Sequence, residues 1–409
     1  MNQVMRKYLV VASVFTLSLI TYIDRAAISS AKSAIASELS LSDTAMGAVF
    51  SAFVLGYALA QIPSGWFADK FGPRIALTVV VTLWSLFTAL TGAVNRFATL
   101  LIVRFLFGVA EAGAFPGAAR VFYNWLPTGE RGLANGILFS GALLGGGFAF
   151  PFFAWLFNTY GWRGAFYFLG VPGLIWALAW ALWFREYPPG PVKHEVTSAG
   201  VLGLSFGEVF RSTAMMLVMF QYFAGNFTFF ICISWMFPYL SEHYSMGHTQ
   251  AANYSMIPLL AGATANWVAG FGVDWLYRSR WRAWSRRMPA MLGFLLAATG
   301  IFLVTQAGTA RTAVVAFAVA TFGVELTISP SWAYCLEIGG KNSGAISGAM
   351  NMFGNFGGFV SANAFPFLYR LTGTTDTYFR TAALFNLVAI LCWLWLRPRL
   401  GPSSTALAG

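Results

Sequence analysis

Four ionisable side chains, Asp24, Arg25, Arg104 and Glu111, lie inside long apolar runs, where a charge facing lipid costs roughly 2.5 to 3.5 kcal/mol even on the most lenient scale. Residues that expensive mark a polar site inside a membrane protein. Arg104 and Glu111 are seven positions apart, two helical turns, so on one helix they share a face and can look into one cavity. Asp24 and Arg25 are adjacent and point about 100° apart around a helix, so they serve different neighbours. Two guanidinium and two carboxyl groups cancel in charge, which makes them bearable in a low-dielectric interior. The chemistry open to this set is anion binding and proton exchange. A guanidinium stays charged and offers a planar forked donor to a carboxylate, and a buried acid changes its hold on a proton as an arginine approaches or withdraws.

The elements that position them must be membrane helices. Hydrophobic residues make up 58% of the chain and charged residues 10%, against about 25% charged in a soluble domain. Apolar runs of membrane-spanning length recur near residues 8–30, 44–66, 75–94, 98–121, 132–157, 164–184, 213–240, 249–273, 288–306, 312–336, 343–369 and 378–396. They lack alternating patterning and are too long for barrel strands, so helices must satisfy their backbones. The expected fold is an all-α membrane protein of twelve transmembrane helices.

Basic residues set its orientation. One set of connecting segments holds Arg6, Lys7, Lys70, Arg74, Arg120, Arg131, Arg185, Lys193, Arg211, Arg278, Arg280, Arg282, Arg286, Arg287, Lys341, Arg397 and Arg399. The opposite set holds only Lys32, Arg96, Arg163, Arg311, Arg370 and Arg380. Both termini are therefore expected in the cytoplasm, with the chain in the inner (plasma) membrane. The net charge of +11 reads as a topology signal that meets anionic lipid, and nucleic acid is an unnecessary partner. The basic run from Arg278 to Arg287, interleaved with Trp281 and Trp284, is expected at the headgroups. The first apolar run reads as a retained helix, since cleaving it as a signal peptide would discard Asp24.

Nothing in the pattern suggests an enzyme. Cys232, Cys335 and Cys392 lie far apart in apolar runs, and His194, His243 and His248 lack ligand spacing, so neither a metal nor a cofactor is expected. Gly145-Gly-Gly147 and the run from Gly354 to Gly358 lack the Lys-Ser or Lys-Thr of a phosphate loop and read as helix-packing surfaces. The chain does repeat itself. Gly65 and Asp69 recur as Gly270 and Asp274, Gly136 as Gly348, and Glu111 with Pro116 as Glu325 with Pro330, at offsets of 205 to 214. Such offsets imply two related six-helix bundles, residues 1–184 and 208–409, joined by a cytoplasmic linker over 185–207 that includes Tyr187-Pro-Pro-Gly-Pro191.

The segment Gly65-Trp-Phe-Ala-Asp69-Lys-Phe-Gly72-Pro-Arg74 resembles the loop between helices 2 and 3 of the major facilitator superfamily. Tyr22-Ile-Asp24-Arg25, with Arg104-Phe-Leu-Phe-Gly108-Val-Ala-Glu111-Ala112 and Pro116, resembles its anion:cation symporter family, which includes bacterial sugar-acid transporters. The resemblance runs over residues 8–396. It implies that Arg25, beside Tyr22, holds a substrate carboxylate and that Asp24 and Glu111 bind and release protons. By the same resemblance Arg104 pairs with those acids, and Tyr57 and Asn355 contact substrate hydroxyls. One position departs: Ala142 stands where the sugar-acid carriers often have glutamine, which makes a less hydroxylated carboxylate plausible as cargo.

Further expectations concern gating and the second half. Asp69 and Asp274, with Gly65, Gly270 and Arg74, are expected to form gate contacts in which each acid caps a facing helix N-terminus. Glu325 occupies the repeat position of Glu111 but has Ala318 where an arginine would stand, so it is either a proton-coupling acid or a hydrogen-bonded structural one. Trp332, Asn226, Tyr334 and Trp235 are candidates to line the cavity. The function expected is proton-coupled symport of a small organic anion by a monomer, with a proton-linked drug exporter or an organic-anion exchanger as the alternative.

Overall fold

A computed structural model of the chain describes residues 3–188, 210–234, 236–246 and 248–396. Most of the expected linker, Trp235, Arg397 and Arg399 lie outside the described residues. Among the described residues eleven helical stretches are long and apolar enough to cross a membrane, and the longest, Ala310–Thr372, is two helices in series. Among the described residues the secondary structure is helical, without a strand.

In chain order the helices are α1 (Gln3–Ser30), the short α2 (Lys32–Glu38), α3 (Asp43–Phe71), α4 (Pro73–Ala93), α5 (Phe97–Glu111) and α6 (Ala114–Trp125). The next stretch, Arg131–Trp183, breaks at Gly161, whose φ of 68° suits glycine, into α7 (131–160) and α8 (162–183). There follow α9 (Thr213–Ser234), α10 (Met236–His243), α11 (His248–Arg278), α12 (Arg287–Val304), α13 (Ala310–Gly339), α14 (Ser343–Thr372) and α15 (Asp376–Trp395).

The described residues fall into two compact units. The first draws on Met1–Leu126, Gly141–Lys193 and Gly339–Gly348. Its apolar core joins Ala27, Ile28 and Ile35 to Phe153, Trp162 and Phe166. Within it α3 and α5 lie backbone to backbone: a Cβ on Gly56 would stand 2.3 Å from the Phe105 carbonyl oxygen, and one on Gly108 would stand 2.2 Å from that of Phe53. That close approach sets Phe53 and Tyr57 beside Arg104 and Glu111. Glu111 ends α5 because Pro116 cannot donate to the Ala112 carbonyl, and the span resumes as α6 after a short turn.

The second unit draws on Pro127–Ser140, His194–Ile338 and Ala349–Gly409. Its core packs Phe227, Ile231, Phe317 and Phe379 around Tyr378, which is fully buried. Cys335 and Cys392 are buried free thiols within this unit.

Charged groups outside the spans tie the first unit together. Glu38 at the end of α2 accepts hydrogen bonds from the Trp162 indole at 2.6 Å and from Arg163 Nη2 at 2.8 Å, while Arg163 Nη1 caps the end of α4 at the carbonyls of Gly92 and Val94. The Trp162 and Arg163 donors hold the Glu38 carboxyl below its ordinary value of 4.5. A depressed acid contributes stability above its unfolded value and loses it as pH falls through the folded one. Glu38→Gln is therefore expected to lower the melting temperature at neutral pH, with the difference shrinking below pH 4.5. A difference that stays constant down to about pH 3 would show that the ionised carboxylate is not what the contact uses.

Candidate functional site

Arg25 is the centre of the polar cluster in the first unit. Its Nε donates to Glu111 Oε1 across 86 positions of sequence, and its guanidinium carbon lies 4.4 Å from the ring centre of Tyr57, 4.9 Å from Tyr22 and 5.5 Å from Phe53. Rings on the guanidinium faces leave only its edges for hydrogen bonds. One edge is taken by Glu111, and Arg25 Nη2 is buried without a partner. The Arg25 side chain keeps 20% exposure while Glu111 keeps none. An anion reaching Arg25 must come edge-on and would find an unfilled donor there.

The other members take different partners from those that spacing suggested. Arg104 is 2% exposed and lies over the rings of Phe107, at 4.3 Å, and Phe53, at 5.3 Å, and among the described residues it makes no ion pair with either acid. At hydrogen-bond distance Glu111 pairs with Arg25 and not with Arg104, because α1 brings Arg25 to the end of α5 while Phe107 of α5 and Phe53 of α3 flank the Arg104 guanidinium, which acts on both acids through its charge alone. Asp24, also 2% exposed, accepts from the Thr88 hydroxyl at 3.5 Å, and its Oδ1 has no partner. Glu111 Oε2 is likewise buried and unpartnered. Each acid therefore has an oxygen on which a proton could reside without displacing a bond.

Neutral donors and rings gather in the second unit. A Cβ on Gly354 would stand 2.4 Å from the Tyr222 ring and 2.7 Å from Asn226 Nδ2, so α14 passes directly over this part of α9. Asn226 donates to the Tyr222 carbonyl and Asn355 to the Asn351 carbonyl, which holds both amides in place with donor and acceptor capacity to spare. Trp332 is fully buried, donates its indole N–H to the Tyr222 hydroxyl at 2.9 Å and packs on Phe139. Tyr334 is buried against Trp393. Tyr222 is the member that sequence reasoning missed, since one tyrosine among many aromatics in α9 carries no spacing signal.

Glu325 accepts from Asn266 Nδ2 at 2.6 Å and has no charged partner among the described residues. Asn266 was also missed. It lies 59 positions away on another helix, in a Gly- and Ala-rich stretch.

The gate candidates are helix caps. Asp69 accepts from the backbone N–H groups of Gly344, at 2.9 Å, and Ala345, at 2.8 Å, at the start of α14. Asp274 accepts from Gly132, at 2.9 Å, and Leu133, at 2.8 Å, at the start of α7. The repeat is thus visible as the same bidentate cap made twice, once in each unit. Arginines missed in sequence complete both caps: Arg120 lies 3.8 Å from Asp69 and Arg286 lies 4.0 Å from Asp274. Gly65 and Gly270 sit beside their acids against the same capped starts, Gly65 on Gly344 and Gly270 on Gly132 and Leu133. Arg74 points elsewhere, donating its side chain to the Ala181 carbonyl at 2.9 Å and its backbone N–H to Glu186. Much of the basic run also serves the protein itself: Arg286 bonds Glu337 and the Thr128 carbonyl, and Arg287 bonds the Leu396 carbonyl.

Comparison with known proteins bears on the family and the fold. The family model of the Major Facilitator Superfamily matches residues 14–362. A probable sulfoacetate transporter of Cupriavidus necator is 32% identical over 98% of this chain and 96% of its own length. A probable galactarate/D-glucarate transporter of Escherichia coli is 30% identical over 95% of this chain and 94% of its own. A probable L-galactonate transporter of the same organism is 30% identical over 90% and 84%. Among solved structures, a proton:xylose symporter superposes with a TM-score of 0.79 over the whole of both chains at 14% identity, and a human organic anion transporter with a TM-score of 0.73 over 95% of this chain and 99% of its own at 14% identity.

Proposed function

This chain belongs to the Major Facilitator Superfamily and is a multi-pass membrane transporter, not an enzyme, and from that premise we propose that it carries a small organic anion together with protons by alternating access. The observation that carries the proposal is the Arg25–Glu111 contact, in which a guanidinium that keeps an unfilled buried donor is held by a buried acid. Glu111 and an incoming anion compete for the same cation. Adding a proton to Glu111 removes its charge and weakens its grip, which leaves the guanidinium edges to a carboxylate or sulfonate. Losing the proton restores the internal pair and expels the anion. Proton and anion are then bound together and released together, which is the requirement of symport. Asp24, which accepts a hydrogen bond from Thr88, is the second proton carrier of the cluster, and Arg104 offsets its charge.

The cargo class follows from two supports. Relatives over nearly the whole chain are named for sulfoacetate, galactonate, galactarate and glucarate, all anions that a guanidinium fork accepts. In the second unit the Asn226 and Asn355 amides keep hydrogen-bonding capacity suited to hydroxyls, and in the first Ala142 offers none. We therefore place the substrate among short carboxylates or sulfonates with few hydroxyls. The remaining assignments belong to the same proposal: two six-helix bundles over 1–184 and 208–409, a monomer in the inner membrane with both termini in the cytoplasm, and Asp69 and Asp274 as gate caps broken once per cycle.

Uptake by proteoliposomes separates this reading from its rival. With an inward proton gradient, labelled sulfoacetate, galactonate or a related acid is expected to accumulate above its outside concentration, and a protonophore should abolish the accumulation while leaving exchange of internal for external anion intact. Accumulation that ignores the proton gradient and follows only an opposing anion would favour an exchanger.

A further inference from the structure

The second unit contains a buried acid that the Arg25 cluster does not explain. Glu325 on α13 is 5% exposed, and among the described residues its one hydrogen-bond partner is the Asn266 amide on α11. The same Nδ2 also donates to the Gly262 carbonyl at 3.3 Å, while Asn266 Oδ1 is buried without a partner. The ionisable groups on the neighbouring helices are engaged elsewhere. Asp274 and Arg278, further along α11, bond the backbones of Gly132 and Gly129; Glu337 on α13 is held by Arg286, and Arg287 at the start of α12 by the Leu396 carbonyl. Neither these nor Arg131 on α7 pairs with Glu325. A carboxylate in that setting would be a buried charge without an ion-pair partner, which is costly at membrane depth.

The surroundings say what such an acid could act on. The first residues of α7 meet α11 and α13 immediately beside it. A Cβ on Gly136 would stand 2.3 Å from the Asn266 carbonyl oxygen, and Ser329, one turn after Glu325, donates to the Gly132 carbonyl at 2.6 Å. We propose that Glu325 and Asn266 form a second proton-binding site, separate from the Arg25 cluster, whose occupancy sets the contact between α7 and α11. An ionised Glu325 accepts from the amide nitrogen. A protonated Glu325 is itself a donor, and the adjacent unfilled acceptor is Asn266 Oδ1. Turning the amide over satisfies the new donor but removes the bond from Nδ2 to the Gly262 carbonyl, one turn before the Asn266 carbonyl on which Gly136 rests. The proton is thereby converted into a change of backbone contact. Its use in transport rests on the proton-coupled reading above, whereas binding of the proton does not.

Infrared spectroscopy on the reconstituted, substrate-free protein separates the two. A carbonyl band of a protonated carboxyl group is expected that titrates between about pH 5 and about pH 9, is absent from Glu325→Gln, is retained in Glu325→Asp, and persists when Glu111→Gln removes coupling at the other cluster. Asn266→Leu should shift this band, since the acid then lacks the amide partner. Should Glu325→Gln not fold, the band shift in Asn266→Leu carries the assignment. A spectrum in which no band depends on Glu325, or one in which the Glu325 band never titrates over that range, would overturn the proposal. Failed proton-driven uptake with a titrating Glu325 band would instead count against the symport reading and leave this site standing.

Discussion

Arg25→Ala is expected to abolish anion binding in practical terms, weakening it by roughly 30-fold to several-thousand-fold, the range that follows from truncating one partner of a buried charged pair at about 2 to 5 kcal/mol. The side chain lost is the one whose buried Nη2 lacks a partner and whose faces are covered by Tyr22, Phe53 and Tyr57. Equilibrium binding or ligand-induced thermal stabilisation of the purified protein measures it. The substitution also strands Glu111, which is fully buried, so the unliganded protein should melt lower. Arg25→Ala with Glu111→Gln distinguishes the two consequences: stability should return and binding should not. Arg25→Lys should recover part of the affinity, because lysine restores a charge without the planar fork. Unimpaired binding by Arg25→Ala would remove this arginine from the substrate site.

Glu111→Gln should uncouple transport without silencing it. A glutamine resembles the protonated acid in shape and charge, so Arg25 is left available at every pH. Anion exchange should continue at rates near those of the unsubstituted protein, while proton-driven accumulation should fall to the level set by simple equilibration. In the unsubstituted protein, apparent affinity should weaken by up to about tenfold for each pH unit above the point where Glu111 loses its proton, because the ionised acid reclaims Arg25. In the variant the same plot should be flat. A variant that still accumulates the anion against its gradient would assign coupling to another group, Asp24 first among them.

How far the site could be read from sequence depends on whether a contact lies within one helix or between helices. The cost of charge in lipid singled out Asp24, Arg25, Arg104 and Glu111, and the runs of apolar residues located the spans that carry them. Helical spacing constrains side chains on one element only. It put Arg104 and Glu111 on one face, yet the partner of Glu111 is Arg25, which depends on the depth and rotation of α1 against the end of α5. The glycines of the α3 and α5 contact, Gly56 and Gly108, set which aromatic rings reach the arginines, and nothing in their spacing names those rings. Asp69 and Asp274 were legible as caps because an acid next to a short turn has few other uses, whereas Arg120 and Arg286 are ordinary loop-proximal arginines until the fold brings them close. Asn266 is the clearest omission. An uncharged amide costs too little in an apolar helix to announce itself, even where it is the hydrogen-bond partner of a buried acid.

The exchange of a proton on Glu111 for an anion on Arg25 can be counted directly. Calorimetric titration of the purified transporter with its organic acid, repeated in buffers of different ionisation enthalpy, gives the number of protons taken up as each anion binds. The unsubstituted protein should take up about one proton more per anion than Glu111→Gln does at neutral pH. Equal proton counts in the two proteins would contradict the account, since anion binding would then proceed without a change of charge on Glu111.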